Sequence, residues 1–126
     1  MPAVSDSSPL ILYAAIDRLD LLHEVYGDVV VPPAVWEEIV VEGAGRVGSG
    51  GGSGPAWIGR RLLPVPIPGE SPVRGLDRGE AEAIALAQSY SPTVSVILDD
   101  LRARRVAEDI GLRVTGSVGV LLAAKR

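Results

Sequence analysis

At 126 residues, 47% of them hydrophobic, the chain suits one domain of ordinary size with a single core, and its apolar content excludes wholesale disorder. It has no cysteine, which excludes disulfides, thiolate nucleophiles and zinc–cysteine sites, and one histidine, His23, which excludes a histidine-rich metal centre. Acids outnumber bases 16 to 12, so bulk charge does not hold nucleic acid here; a site built of carboxylates would show that same balance, because bound divalent cations reverse it locally.

The N-terminus, MPAVSDSS, lacks a basic n-region, and no apolar run approaches the length of a bilayer span. Neither a membrane partner nor a secretory signal is expected, and the cytoplasm is the expected location. The chain opens with a short strand, Ala3 to Ser5, ending at Asp6. Ser8-Pro9 then reads as N-cap and first helical residue, launching an apolar helix from Leu10 to Ile16. A second helical piece, Asp20 to Tyr26, ends at Gly27, with His23 as an exposed residue on it. Val29-Val30-Val31 is a buried strand that Pro32-Pro33 ends, and the prolines start a helix from Ala34 to Val41. This helix carries Glu37 and Glu38; neighbours on a helix are about 100° apart, so only one of them shares a face with a given target.

From Gly43 to Gly59 the sequence GAGRVGSGGGSGPAWIG reads as a flexible linker within a single 1–126 domain. It is no phosphate-binding loop, having neither the lysine nor the strand–loop–helix frame. Leu63 to Ile67 reads as an extended segment that its prolines demote to an edge strand or an irregular connection. Asp77 and Glu80 have capping-box spacing at the start of a helix from Glu80 to Ser89. The run Val94 to Leu98 is apolar almost without break, as in a strand covered on both faces, and it stops at Asp99-Asp100. Asp100 suits the N-cap of a helix from Leu101 to Ile110, a role that accounts for one aspartate and not for two. Gly111 ends that helix; a last strand, Leu112 to Thr115, and a final helix, Val118 to Lys125, follow Gly116-Ser117. Strands and helices alternate throughout, which predicts a three-layer α/β sandwich with a mainly parallel central sheet.

The acids can then be collected. Asp6, Asp99 and Asp100 sit at strand ends, Glu80 at a helix start, and Glu37 or Glu38 on a helix that follows a strand. Crossover connections bring the carboxyl ends of parallel strands to one edge of the sheet. Four carboxylates converging there without cysteine or histidine form an all-oxygen site, which selects Mg²⁺ or Mn²⁺. Arg78, Arg102 and Arg104 flank the acids in sequence and are candidate phosphate contacts; the bland alternative is a solvated helix face on which Arg105 pairs with Glu108 or Asp109.

Taken together, VSDSSPLI, VVVPPAVWEEI, GEAEAIALA, VILDDLRARR and RVTGSVGVLL resemble the PIN-domain family, especially its branch opening with D-x-S-P-L-I. The resemblance covers nearly the whole chain outside the glycine-rich stretch, which stands where many relatives have a helical middle section. It implies a metal-dependent ribonuclease acting on single-stranded RNA, many members being toxins of toxin–antitoxin pairs, with an antitoxin protein and a second copy of the chain as partners. By the family pattern the first acid falls on Asp6, with Ser7 and Ser8 beside it as substrate contacts. The helix glutamate falls on Glu38, which Ile39 follows. The third acid falls on Glu80, where many relatives have aspartate, with Glu82 as the fallback. The fourth falls on Asp99-Asp100, with Asp100 preferred. Two alternatives stand beside a nuclease: a PIN-like binding or scaffold module with a degenerate metal site, and a receiver-type domain, which fits poorly because its aspartate pair should follow the first strand.

Overall fold

The computed structural model describes residues 2–42, 55–90 and 94–125. Within them lie five strands, β1 (Ala3–Ser5), β2 (Val29–Val31), β3 (Ile58–Arg60), β4 (Ser95–Ile97) and β5 (Arg113–Thr115). Six α-helices accompany them: α1 (Ser7–Ala15), α2 (Asp20–Tyr26), α3 (Pro33–Glu42), α4 (Arg78–Gln88), α5 (Leu101–Asp109) and α6 (Ser117–Ala124). The strands form one sheet in the order β3-β2-β1-β4-β5, and every pairing is parallel.

Side chains alternate across each strand, and this period of two sorts them into two cores. Ala3, Val29, Val31 and Ile97 face a cluster with Leu10, Tyr13, Leu22, Val35, Ile39 and Val120, so α1, α2, α3 and α6 contribute to one layer. Val4, Val30, Val96 and Leu98 face the other way, against Ile84, Leu86, Ala87, Ala103 and Ala107 of α4 and α5. The result is the expected three-layer α/β sandwich, with a sheet parallel throughout.

Most elements keep their expected places with ends shifted by one or two residues, and three differences have a physical reason. The first helix begins at Ser7, because Asp6 keeps an extended backbone (φ −76°, ψ 171°) and so serves at once as the end of β1 and the N-cap of α1. Pro9 then lies in the first turn, where a missing N–H costs nothing. The edge strand is Ile58–Arg60 and not Leu63 to Ile67: buried Ile58 pairs with Val29, whereas the proline-rich segment is irregular and is tied back by Arg74, whose guanidinium donates to the carbonyls of Ile67 and Pro68. The strand thus takes in the last residues of the stretch read as linker, of which 43–54 lie outside the described residues. A short 3₁₀ turn, Pro72–Gly75, precedes α4 and was not foreseen; the Ser71 hydroxyl accepts from Val73 N–H to start it.

The strand order fixes where a ligand can sit. The chain winds outward from β1 to β2 and β3, then returns to the other side of β1 for β4 and β5. The direction therefore switches between β1 and β4, and in open α/β sheets the crevice outside the carboxyl ends at such a switch is the binding place. Asp6 follows β1 directly, its N–H donating to Ile97 O at 3.1 Å, and Asp99 stands two residues beyond β4.

Candidate functional site

Around that crevice the structure gathers the acids. Asp6 is buried, with 6% of its surface exposed. Burial raises its carboxyl from 3.8 to about 6, the Ser7 backbone N–H pulls it down, and Glu38, Asp77 and Asp99 push it up again. Glu80, 8% exposed, is raised from 4.5 to about 7, first by burial and then by Asp77, Asp100 and Asp6. Each of these groups feels the others because parallel pairing of β1 with β4 and the start of α4 bring them to one rim.

Glu38 is the member of the glutamate pair that faces the site. Its Oε2 accepts from the hydroxyl of buried Ser7 at 3.0 Å, and its Oε1 lies against Gly79. A methyl group at Gly79 would overlap that oxygen and come within 3.2 Å of Asp6 Oδ1, so the two carboxylates converge on a space kept open by a glycine. Glu37 instead stands exposed, 3.8 Å from Arg78. Ala34, Glu37, Glu38, Val41, Asp77, Arg78 and Gly79 line a cavity of about 390 Å³ beside these acids.

The remaining carboxylates occupy helix N-termini. Asp77 Oδ1 accepts from Glu80 N–H at 3.4 Å and Asp100 Oδ2 from Ala103 N–H at 2.9 Å, as the capping readings foresaw. Glu82 does not join the rim: it accepts from Ala34 N–H at 3.0 Å, capping α3 from a neighbouring helix, and pairs with Arg78 at 3.2 Å. Asp99 is held by Ser117 through two bonds, from the backbone N–H at 2.7 Å and the hydroxyl at 2.6 Å.

The flanking groups divide. Arg104 comes to the rim, its guanidinium donating to Leu98 O at 3.4 Å and packing on Gly116, which Asp99 Oδ1 also approaches. The Arg102 guanidinium lies over Gly75, two residues before Asp77 and 2.7 Å from where a β-carbon would stand. Ser7, expected as a substrate contact, is buried and committed to Glu38, while Ser8 is exposed beside it. Arg105 makes no ion pair with Glu108 or Asp109 among the described residues. His23 lies at the opposite edge of the sheet, bonded to Gly27 O at 2.6 Å and stacked on Trp57, so it takes no part. Sequence reasoning missed Asp77 as a member of the cluster and Ser117 as the partner of Asp99; the Gly-Ser pair ahead of an apolar run was the available capping signal.

Among the described residues no three acidic or histidine side chains stand close enough to clasp one ion as they are placed. The donor set still fits a hard divalent cation in two respects. All its donors are oxygens, and the opening at Gly79 between Asp6 and Glu38 is one that a β-carbon would fill. Asp77 and Asp99 act on the Asp6 carboxyl, and Asp77 and Asp100 on that of Glu80, so these acids share the rim.

Among the described residues no helix is long and apolar enough to cross a membrane. No curated protein and no solved structure matches the chain. A family model described as a PIN domain matches residues 2–126, and PIN domains have a nuclease-type fold, bind nucleic acid and typically use divalent metal ions. With that match over nearly the whole chain, and a five-stranded parallel sheet flanked by helices, the chain belongs to the PIN-domain family.

Proposed function

We propose that this protein is a metal-dependent endoribonuclease that hydrolyses single-stranded RNA in the cytoplasm, acting as the toxin of a toxin–antitoxin pair. The observation that carries the reading is the convergence of Asp6 and Glu38 on Gly79 at the topological switch point. In this reading Asp6, Glu38, Glu80 and Asp99, with Asp100 as a near neighbour of Glu80, would hold Mg²⁺ or Mn²⁺. When bound, such a cation lowers the pKa of water and stabilises the charge that develops on the phosphate in an in-line displacement.

The chain's own groups do the rest. Ser7 holds Glu38 by one oxygen, and the other lies against Gly79. Arg104, beside Asp99, and Arg78, lining the cavity, would on this reading bind the phosphates flanking the scissile bond. Without cysteine, and with His23 at the far edge, the site has neither a thiolate nor an imidazole base, so on this reading water is the attacking group. Protein partners on this reading are an antitoxin and a second copy of the chain.

The test is cleavage of a labelled single-stranded RNA with Mn²⁺. The expected products carry 5′-phosphates and 3′-hydroxyls, and Asp6→Asn and excess EDTA each abolish their formation. Cleavage that survives both treatments, or products ending in 2′,3′-cyclic phosphates, refutes the mechanism. Growth arrest on expression, absent for Asp6→Asn, tests the toxin assignment separately. A second reading, a PIN-like RNA-binding scaffold, draws on the carboxylates committed to helix N-termini, and RNA binding without cleavage in any divalent metal would select it.

A further inference from the structure

Among the described residues Asp99 is the one rim aspartate held by a group from another element. Ser117 is buried at the first turn of α6, and it meets Asp99 with its backbone N–H and its hydroxyl, one donor to each carboxylate oxygen. Ser117 is itself fixed from below: the hydroxyl of buried Tyr13, on α1, donates to Ser117 O at 2.5 Å. Gly116 keeps the approach open, since a β-carbon there would come 2.9 Å from Asp99 Oδ1 and 3.3 Å from Leu98 O. These contacts join α1, the end of β4 and the start of α6 around one carboxylate.

A charge-assisted pair of bonds to both oxygens does two things. It fixes the rotation of the carboxylate about its last torsion, and it takes one lone pair on each oxygen while leaving the other free. Groups that orient ligand side chains in this way typically contribute 10–100-fold to metal affinity. We infer that Ser117 is a positioning residue of the site, holding Asp99 in the orientation in which its free lone pairs face the cation. The inference rests on the proposed metal-dependent function and deepens it. It separates Asp99, anchored from α6, from Asp100, which caps its own helix.

Three variants of the full chain resolve the roles of the two donors. Ser117→Thr keeps both, Ser117→Ala removes the hydroxyl, and Ser117→Pro removes both at a first helical position that tolerates proline. Mn²⁺ binding is read directly, from the electron paramagnetic resonance signal of the free ion, with thermal melts in EDTA run beside it. Ser117→Thr is expected to bind like the native chain, Ser117→Ala about 10-fold more weakly and Ser117→Pro more weakly still. The loss for Ser117→Ala should be recovered in kcat at saturating Mn²⁺, since the defect lies in loading.

Equal Mn²⁺ affinity for Ser117→Ala and the native chain overturns the inference, even if the melt of the variant is lower, because a purely structural cap predicts that pattern. A native chain that binds Mn²⁺ with the expected ranking of variants but cuts no RNA sinks the nuclease reading and leaves Ser117 in its role. A native chain that binds no Mn²⁺ overturns both.

Discussion

Asp6→Asn is expected to make the metal-free protein more stable at neutral pH, although it removes a charged residue from the centre of the site. The folded state raises the Asp6 carboxyl from 3.8 to about 6, with burial as the first cause and the surrounding acids as a further one. A group whose pKa is raised by folding contributes stability that is fully present below 3.8 and is lost as the pH climbs through 6. The displacement is about two units at roughly 1.4 kcal/mol each, so ionised Asp6 costs the fold about 3 kcal/mol at pH 7. Asparagine keeps the shape and carries no charge, so it escapes the penalty. For a chain of this length about 3 kcal/mol corresponds to roughly 10 °C in Tm.

The assay is thermal melting by circular dichroism in EDTA, from about pH 3.5 to about pH 8. The two proteins should melt together at the acid end, and the gap should open in favour of the variant between pH 4 and pH 6.5, the interval about which Asp6 titrates. Added Mn²⁺ should then raise the native Tm at pH 7.5 and leave the variant where it was, closing or reversing the gap. A variant less stable than the native protein at pH 7.5, or a gap that does not change with pH, refutes the reasoning.

Two further substitutions follow from the same geometry. Gly79→Ala drives a methyl group into Glu38 Oε1 and toward Asp6 Oδ1; RNA cleavage should fall at least about 100-fold, while a melt changed by less than about 2 kcal/mol shows that the loss is local, since overpacking and the helix preference of alanine act in opposite directions. Glu82→Ala removes the acceptor of Ala34 N–H; it should cost about 1–2 kcal/mol in urea unfolding, in the range of a lost cap, and leave cleavage within about twofold, and a larger loss of activity would return Glu82 to the list of ligands.

Much of this was legible in the sequence because the relevant signals are local. β1 and β2 take the residues read for them, since Val29-Val30-Val31 between Gly27 and two prolines has no competing interpretation. Asp6 and Asp99 could be placed at strand ends, and the 100° offset along a helix already required Glu37 and Glu38 to part company. That same geometry separates Arg102 from Arg104, since two positions along a helix are about 200° apart: Arg102 lies over Gly75 and Arg104 beside Leu98 and Gly116. The pieces that were missed depend on contacts distant in sequence. β3 is three residues at a sheet edge, too short to show a period, and it follows a glycine-rich stretch. Ser117 reaches Asp99 only because β4 and β5 pair, with Ile97 opposite Thr115. Nothing within either segment records that partnership.

The acids on the rim have two possible reasons to be there, and the structure weighs them unequally. Asp77 and Asp100 each accept a hydrogen bond from an N–H in the first turn of a helix, as Glu82 does away from the rim, and Asp99 does so with a serine hydroxyl added. Capping and the helix dipole suffice to explain a carboxylate in such a position, at a gain of about 1 kcal/mol apiece. Asp6 is of another kind. Beyond the Ser7 N–H that lowers its carboxyl, it is almost wholly buried among other acids, and it shares the opening at Gly79 with a second carboxylate. Ionised and without a counter-charge, it costs the fold about 3 kcal/mol, a large fraction of a total stability of roughly 5–15 kcal/mol. A cation at that opening would turn the cost into binding energy, whereas a scaffold would bear it at neutral pH for nothing. The melts of the native chain and Asp6→Asn, with and without Mn²⁺, therefore test for the cation that the nuclease reading requires even before any RNA is added.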